Sequence, residues 1–246
     1  MHFMTRIYDL PRRIFNWLFA GSFIVAFSIA NLVDDELAIF AYHMIAGATL
    51  GLCIVWRFIW GLIGTKHARF SDYVLKPKTL ICYLKESLTK HKKSWIGHNP
   101  ASSWAAIVMM LLAFFLIVSG ILMTTGPFNE AIEELHELAA NAFMLVVVLH
   151  ILGVLVHTIK QQGPIAKSMI SGYKSNIPSD VESVKSNTYL GAMCLIITLT
   201  FTGTLVINFD HNQKTTSLFG VTWHLQEFES EHEQHHENNI HYNEHE

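Results

Sequence analysis

Five blocks of mostly apolar residues, each close to the length needed to cross a bilayer, constrain this 246-residue chain more than any other feature. They run about Ile14–Val33, Leu37–Ile63, Trp104–Met123, Leu138–Thr158 and Tyr189–Phe209. At a rise of about 1.5 Å per residue, roughly 20 residues span a hydrocarbon core of about 30 Å. The blocks predict an all-α integral membrane helical bundle: a four-helix core over residues 1–186, a fifth transmembrane helix over 187–209, and a disordered His- and acid-rich external tail over 210–246. The first block follows Arg6, Arg12 and Arg13 as a signal peptide would, but it is too long for an h-region and ends in acids rather than small residues, so it reads as a span. Charged residues make up 15% of the chain, against about a quarter in soluble domains, which excludes a disordered chain and an ordinary soluble enzyme. A net charge of -3 leaves no basic field for nucleic acid. Cys53, Cys82 and Cys194 are far apart and form neither a zinc signature nor a C-x-x-C-H attachment.

Orientation follows from the cations. With the N-terminus inside, 16 of the 17 Lys and Arg fall in cytoplasmic segments and only Lys214 falls outside, as the positive-inside rule describes. The opposite side collects Asp34, Asp35, Glu36, Glu130, Glu133, Glu134, Glu137 and the acidic tail. A bacterial inner-membrane protein with a cytoplasmic N-terminus and a periplasmic C-terminus is expected. The loop from about Gly64 to Ser103 carries Tyr83–Leu88, which reads as a short amphipathic helix on the membrane surface.

Ionisable residues at membrane depth are costly and point to function. His43 lies near the external end of the second span, His136 at the external mouth of the fourth, His150 further in and His157 near the internal end. His136 and His150 are 14 residues apart. On a helix that is four turns short by roughly 40°, so both share a face, separated by a rise of about 21 Å. His43 and His136 each open an inward-running helix and so share a depth. Neutral imidazoles from facing helices can ligate one haem iron, and a b-type haem needs no covalent attachment. Gly47 and Gly51 continue the His43 face at i+4 and i+8, a smooth strip that admits either a macrocycle or a neighbouring helix. Arg57 is placed to meet an inner-haem propionate. The plainer alternative is that a histidine in a span only hydrogen-bonds a carbonyl or a serine; His157, followed by Lys160, reads as interfacial. His98 suits a propionate or quinone head, or a solvated loop cap, while His67 and His91 read as exposed.

The run Leu10-Pro11-Arg12-Arg13-Ile14-Phe15-Asn16-Trp17 resembles the opening of the bacterial cytochrome b family that includes the nickel–iron hydrogenase cytochrome b subunit. So do Trp56-Arg57-Phe58-Ile59-Trp60-Gly61, Gly97-His98-Asn99-Pro100 and Leu135-His136-Glu137-Leu138-Ala139-Ala140-Asn141, followed by His150 and Met169-Ile170-Ser171-Gly172. The resemblance covers about Tyr8 to Lys174. It implies a bundle that holds haem b and passes electrons between quinone or quinol and a redox partner, either a periplasmic cytochrome c or a membrane subunit of hydrogenase or dehydrogenase type. His43 and His136 would ligate the outer haem and His150 the inner one. The family reads F-H-W where this chain has Phe15-Asn16-Trp17, and Asn16 is a poor iron ligand. The inner haem is then absent, or five-coordinate on His150, or ligated by a stand-in such as His2 or His157.

In the tail, His232, His235, His236 and His241 lie among carboxylates, a composition that favours divalent copper, nickel or zinc. A solvated tail, or an acidic arm that steers a basic cytochrome c, fits as well. The competing functional class is a metal-ion or proton transporter with this tail as collector; a third is a membrane anchor for a catalytic partner. No nickel, iron–sulfur, flavin or nucleotide motif is present, so chemistry beyond electron transfer would belong to a partner.

Overall fold

A computed structural model describes residues 4–88, 95, 97–125, 129–161, 165–175, 177–178, 181–218 and 220–225. Five of its helices are long and apolar enough to cross a membrane. They are α1 (Leu10–Leu32), α2 (Ala41–Ile63, entered through a 3-10 turn at Ala38–Phe40), α4 (Pro100–Thr125), α5 (Glu130–Gln161) and α7 (Thr188–Ile207). All five match the spans expected from the sequence, with most ends displaced by a few residues and the start of α5 lying eight residues earlier, at Glu130. Asp9 caps α1, its carboxylate accepting from the Arg12 backbone N–H at 3.2 Å. Asn99 caps α4 in the same way, accepting from Ser102 N–H at 2.7 Å, and Pro100 takes the first helical position, where its missing N–H costs nothing.

The amphipathic surface helix is present as α3 (Pro77–Leu88), and a short α6 (Ile165–Ser171) follows α5. α1 packs along α2 and α4 along α5, with α2 against α4 joining the pairs, and α7 lies against α1 and α2. The core of the four-helix unit is aromatic. Phe15, Phe19 and Phe23 recur every fourth residue on α1 and meet Phe143 of α5, whose ring centroid is 4.0 Å from that of Phe23. α7 is fixed by the Thr49–Thr202 hydroxyl pair at 2.8 Å and by Gly191, where a Cβ would come within 2.7 Å of Leu10. The leucines, isoleucines and valines left exposed along the spans form the lipid-facing surface. At the end of the bundle where α1 begins, β1 (Thr5–Arg6) pairs antiparallel with β2 (Tyr173–Lys174).

The tail departs from expectation. Residues 210–225 are not structureless: β3 (Thr215–Leu218) and β4 (Val221–His224) form an antiparallel hairpin turned at Gly220, whose φ of 81° suits glycine. Two threonine-containing strands are good sheet formers, and the hairpin is anchored on α7 by the Thr216 hydroxyl donating to Leu205 O at 2.8 Å and by Asn208 Nδ2 donating to Ser217 O at 2.9 Å. His232, His235, His236 and His241, like His2 and His91, lie outside the described residues.

Candidate functional site

His43 at the start of α2 and His136 in the second turn of α5 face one another, with ring centroids 6.2 Å apart and planes inclined by 65°. Each is held through Nδ1. His43 Nδ1–H donates to the carbonyl of Ala26 on α1 at 2.9 Å. The Ser119 hydroxyl of α4 donates to Phe115 O at 2.9 Å, so its oxygen accepts from His136 Nδ1–H at 2.7 Å. A carbonyl can only accept, so His43 takes the Nδ1–H tautomer, and His136 takes the same one with the single Ser119 proton on Phe115 O. Nε2 of each then carries a lone pair that no protein group among the described residues uses.

This is the arrangement a metal-ligating histidine takes, its outer-shell partner fixing tautomer and ring direction. Two metal–imidazole bonds of about 2.0 Å, plus the distance from ring centre to nitrogen on each side, fill a separation of this size. The plainer alternative, a histidine satisfied by a carbonyl or a serine, accounts for both Nδ1 atoms and leaves both Nε2 atoms unexplained. Room is provided by glycine. A Cβ at Gly47 would meet nothing within 4 Å, and Gly120 of α4 lies beside His136, its Cβ position 3.6 Å from Cε1. Gly51 belongs to helix packing instead, since its Cβ position is in contact with Ile117 of α4 at 3.6 Å. Ser119 and Gly120 were not singled out from the sequence; the signal was a small polar pair inside the otherwise bulky α4. Ser119→Ala is expected to lower cofactor affinity at this site about 10- to 100-fold. Haem titration of the apo-protein measures it.

A second cluster occupies the opposite end of the membrane-spanning bundle. Arg12 and Arg57 are both 3% exposed. Arg12 donates through Nη1 to His67 O and through Nη2 to the ring of His98. Arg57 Nη2 donates to the Tyr73 hydroxyl at 2.5 Å, and Tyr73 packs edge-on against His98 with centroids 4.6 Å apart. Burial, reinforced by Arg12, pushes the His98 imidazole well below its ordinary pKa, so it stays neutral; His150 is within electrostatic reach of it. The Gly97-His98-Asn99-Pro100 run therefore has a physical account. Gly97 clears His67, whose Nδ1 would lie 2.6 Å from a Cβ; His98 accepts from Arg12; Asn99 caps α4 and Pro100 starts it.

Among the described residues the buried N–H groups without acceptors at this end include Arg57 Nη1, Trp56 Nε1 and Trp104 Nε1. The His150 ring makes no hydrogen bond among them either. α5 runs unbroken through His136 and His150, so the 14-residue spacing translates into about 21 Å along the helix. Asn16, which stands where the resemblance leads one to expect a ligand, donates its amide to the Met169 thioether of α6 at 3.5 Å.

Two expectations change. His157 is not a solvated interfacial residue: α3 lays Tyr83 over it, with the hydroxyl 3.1 Å from Nδ1. His67 is not exposed. Its backbone N–H donates to the Asp72 carboxylate at 2.7 Å, Gly97 covers its ring, and burial lowers its pKa.

Among the described residues no three His, Cys, Asp or Glu converge as a metal cluster. Residues 7–172 match the family model described as prokaryotic cytochrome b561. A relative named "Probable Ni/Fe-hydrogenase B-type cytochrome subunit", from Bradyrhizobium diazoefficiens, is 25% identical over 209 residues, covering 68% of this chain and 84% of its own. No solved structure matches the chain. With five membrane-length helices and a match that covers its four-helix unit, the chain belongs to the prokaryotic cytochrome b561 family, multi-pass membrane b-type cytochromes that transfer electrons.

Proposed function

We propose that the chain carries electrons across the bacterial inner membrane between quinol or quinone and a redox partner, either a periplasmic cytochrome c or a membrane subunit of hydrogenase or dehydrogenase type. The observation that carries this reading is the pair of free Nε2 atoms on His43 and His136. These two residues would hold a haem b, with Ala26 O and Ser119 orienting their rings and Gly47 and Gly120 leaving space. Haem b, once bound, supplies a one-electron centre whose potential follows its axial ligands and their hydrogen bonds.

The second site is at His150. Its ring makes no hydrogen bond among the described residues, and the unpartnered donors of Arg57, Trp56 and Trp104 in the same half of the bundle suit the carboxylates of a second haem. Among the described residues Asn16 is engaged by Met169, His98 by Arg12 and His157 by Tyr83, which leaves His150 as the imidazole that would ligate a haem there. With the N-terminus cytoplasmic, the His43–His136 site faces the periplasm and the His150 site the cytoplasm. The hydrogenase-subunit name of the relative fits a partner of that class.

The test is haem stoichiometry and spin state of the purified protein, followed by reduction with a quinol analogue. One low-spin and one high-spin haem per chain, reduced by quinol, is the expected result. A preparation without b-type absorbance removes the proposal. A single low-spin haem removes the His150 site alone.

A further inference from the structure

A cavity of about 140 Å³ opens at the end of the bundle where α1 and α7 both begin. Arg6, Arg13, Tyr173, Ser171, Ser186 and Thr188 contribute polar groups to its lining, and no carboxylate is among the described residues that line it. Two guanidinium groups at one cavity repel each other unless an anion joins them. Arg6 donates to the Tyr173 hydroxyl and Arg13 through Nη2 to Ile170 O, while Arg13 Nε is buried without a partner among the described residues. The nearest acid in sequence, Asp9, is committed elsewhere, accepting from the Arg12 backbone, Trp60 and Thr65. The cavity is thus rich in donors and cationic, and of a volume that takes a phosphate group.

What lies beside it identifies the source of that phosphate. Residues four, seven and eleven beyond Arg13 on α1 are Trp17, Ala20 and Ile24, all exposed apolar side chains on the same helix face. On α7, Tyr189 at the rim is 94% exposed, and Leu190, Met193 and Ile197 continue as an exposed apolar stripe. Tyrosine and tryptophan at this level are typical of the membrane–water interface, and basic pockets between transmembrane helices bind anionic headgroups.

We infer that the Arg6–Arg13 cavity is a specific site for an anionic phospholipid, with its phosphate between the two arginines and the serine and threonine hydroxyls, and its acyl chains along the exposed faces of α1 and α7. The site is separate from the haem-binding residues and does not rest on the redox reading.

The experiment uses the full chain in detergent, delipidated and then offered phosphatidylglycerol, phosphatidylcholine or inorganic phosphate, with retained ligand counted by native mass spectrometry. Phosphatidylglycerol is expected to be retained in preference to phosphatidylcholine. Arg13→Gln is expected to weaken it about five- to tenfold. Thr188→Asp, which adds a carboxylate to the cavity at a first-turn helix position that favours acids, is expected to weaken it comparably while the protein still elutes as a single folded species. Equal retention of the two lipids, or unchanged retention in both variants, overturns the proposal. Inorganic phosphate binding as tightly as phosphatidylglycerol overturns the lipid assignment in favour of a free-anion site.

Discussion

Replacing either His43 or His136 by alanine is expected to abolish the low-spin b-type signal in the reduced-minus-oxidised spectrum, leaving at most the contribution of the His150 site. Each substitution leaves one imidazole where two faced each other at 6.2 Å, and so takes away one of the two proposed ligands. Loss of an outer-shell partner alone typically costs 10- to 100-fold in affinity, and loss of the ligand itself costs more. The fold tolerates the change: His43→Ala leaves Ala26 O without its side-chain donor, worth about 1 kcal/mol. His136→Ala leaves Ser119 with its bonds to Phe115 O and Leu116 O intact. A merely structural histidine predicts a modest loss of stability and an unchanged spectrum. His136→Met separates the two further, because a thioether keeps six-coordination and raises the potential. A low-spin spectrum with a more positive midpoint is the expected result, and an unaltered midpoint would count against ligation by His136.

The depth and pairing of those two histidines were legible from one dimension, because helix rise and span order fix depth without side-chain coordinates. The spans themselves were legible for the same reason: the bilayer imposes one length and one polarity on every crossing segment. What could not be read was which small or polar residue on a third helix meets a given ligand. Ser119 and Gly120 belong to α4, and nothing in their own neighbourhood points to His136. Gly47 and Gly51 look identical in sequence, yet one borders open space and the other packs on Ile117. The charged end of the bundle was misjudged in the opposite direction. His67 sits among arginines and lysines in sequence and so resembles a solvent-exposed residue, but the loop folds back under α1 and holds its carbonyl, like the His98 ring, against Arg12. The hairpin at Thr215–His224 was hidden by the acidic, histidine-rich composition that follows it.

That same end carries the largest expected stability effect. Asp9 is fully buried, and its carboxylate accepts from three elements: the Arg12 backbone N–H at the start of α1, Trp60 Nε1 near the end of α2 at 3.0 Å, and the Thr65 hydroxyl in the following loop at 2.7 Å. It therefore caps one transmembrane helix while tying it to the next. Asp9→Ala removes the cap and strands the Trp60 and Thr65 donors. Stranding a buried donor costs about 1–3 kcal/mol and losing a cap about 1 kcal/mol, so a loss of about 3–5 kcal/mol is expected here in denaturant titrations of the detergent-solubilised protein. Asp9→Asn keeps one acceptor oxygen and is expected to lose less, about 1–2 kcal/mol. The damage should also be local in its redox consequences. Arg12 holds His67 and His98, and Arg57 holds Tyr73, so the variant is expected to perturb the His150 site. The His43–His136 pair, at the opposite end of the bundle, keeps its low-spin spectrum. Equal disturbance of both signals would show that Asp9 supports the whole bundle rather than this end of it.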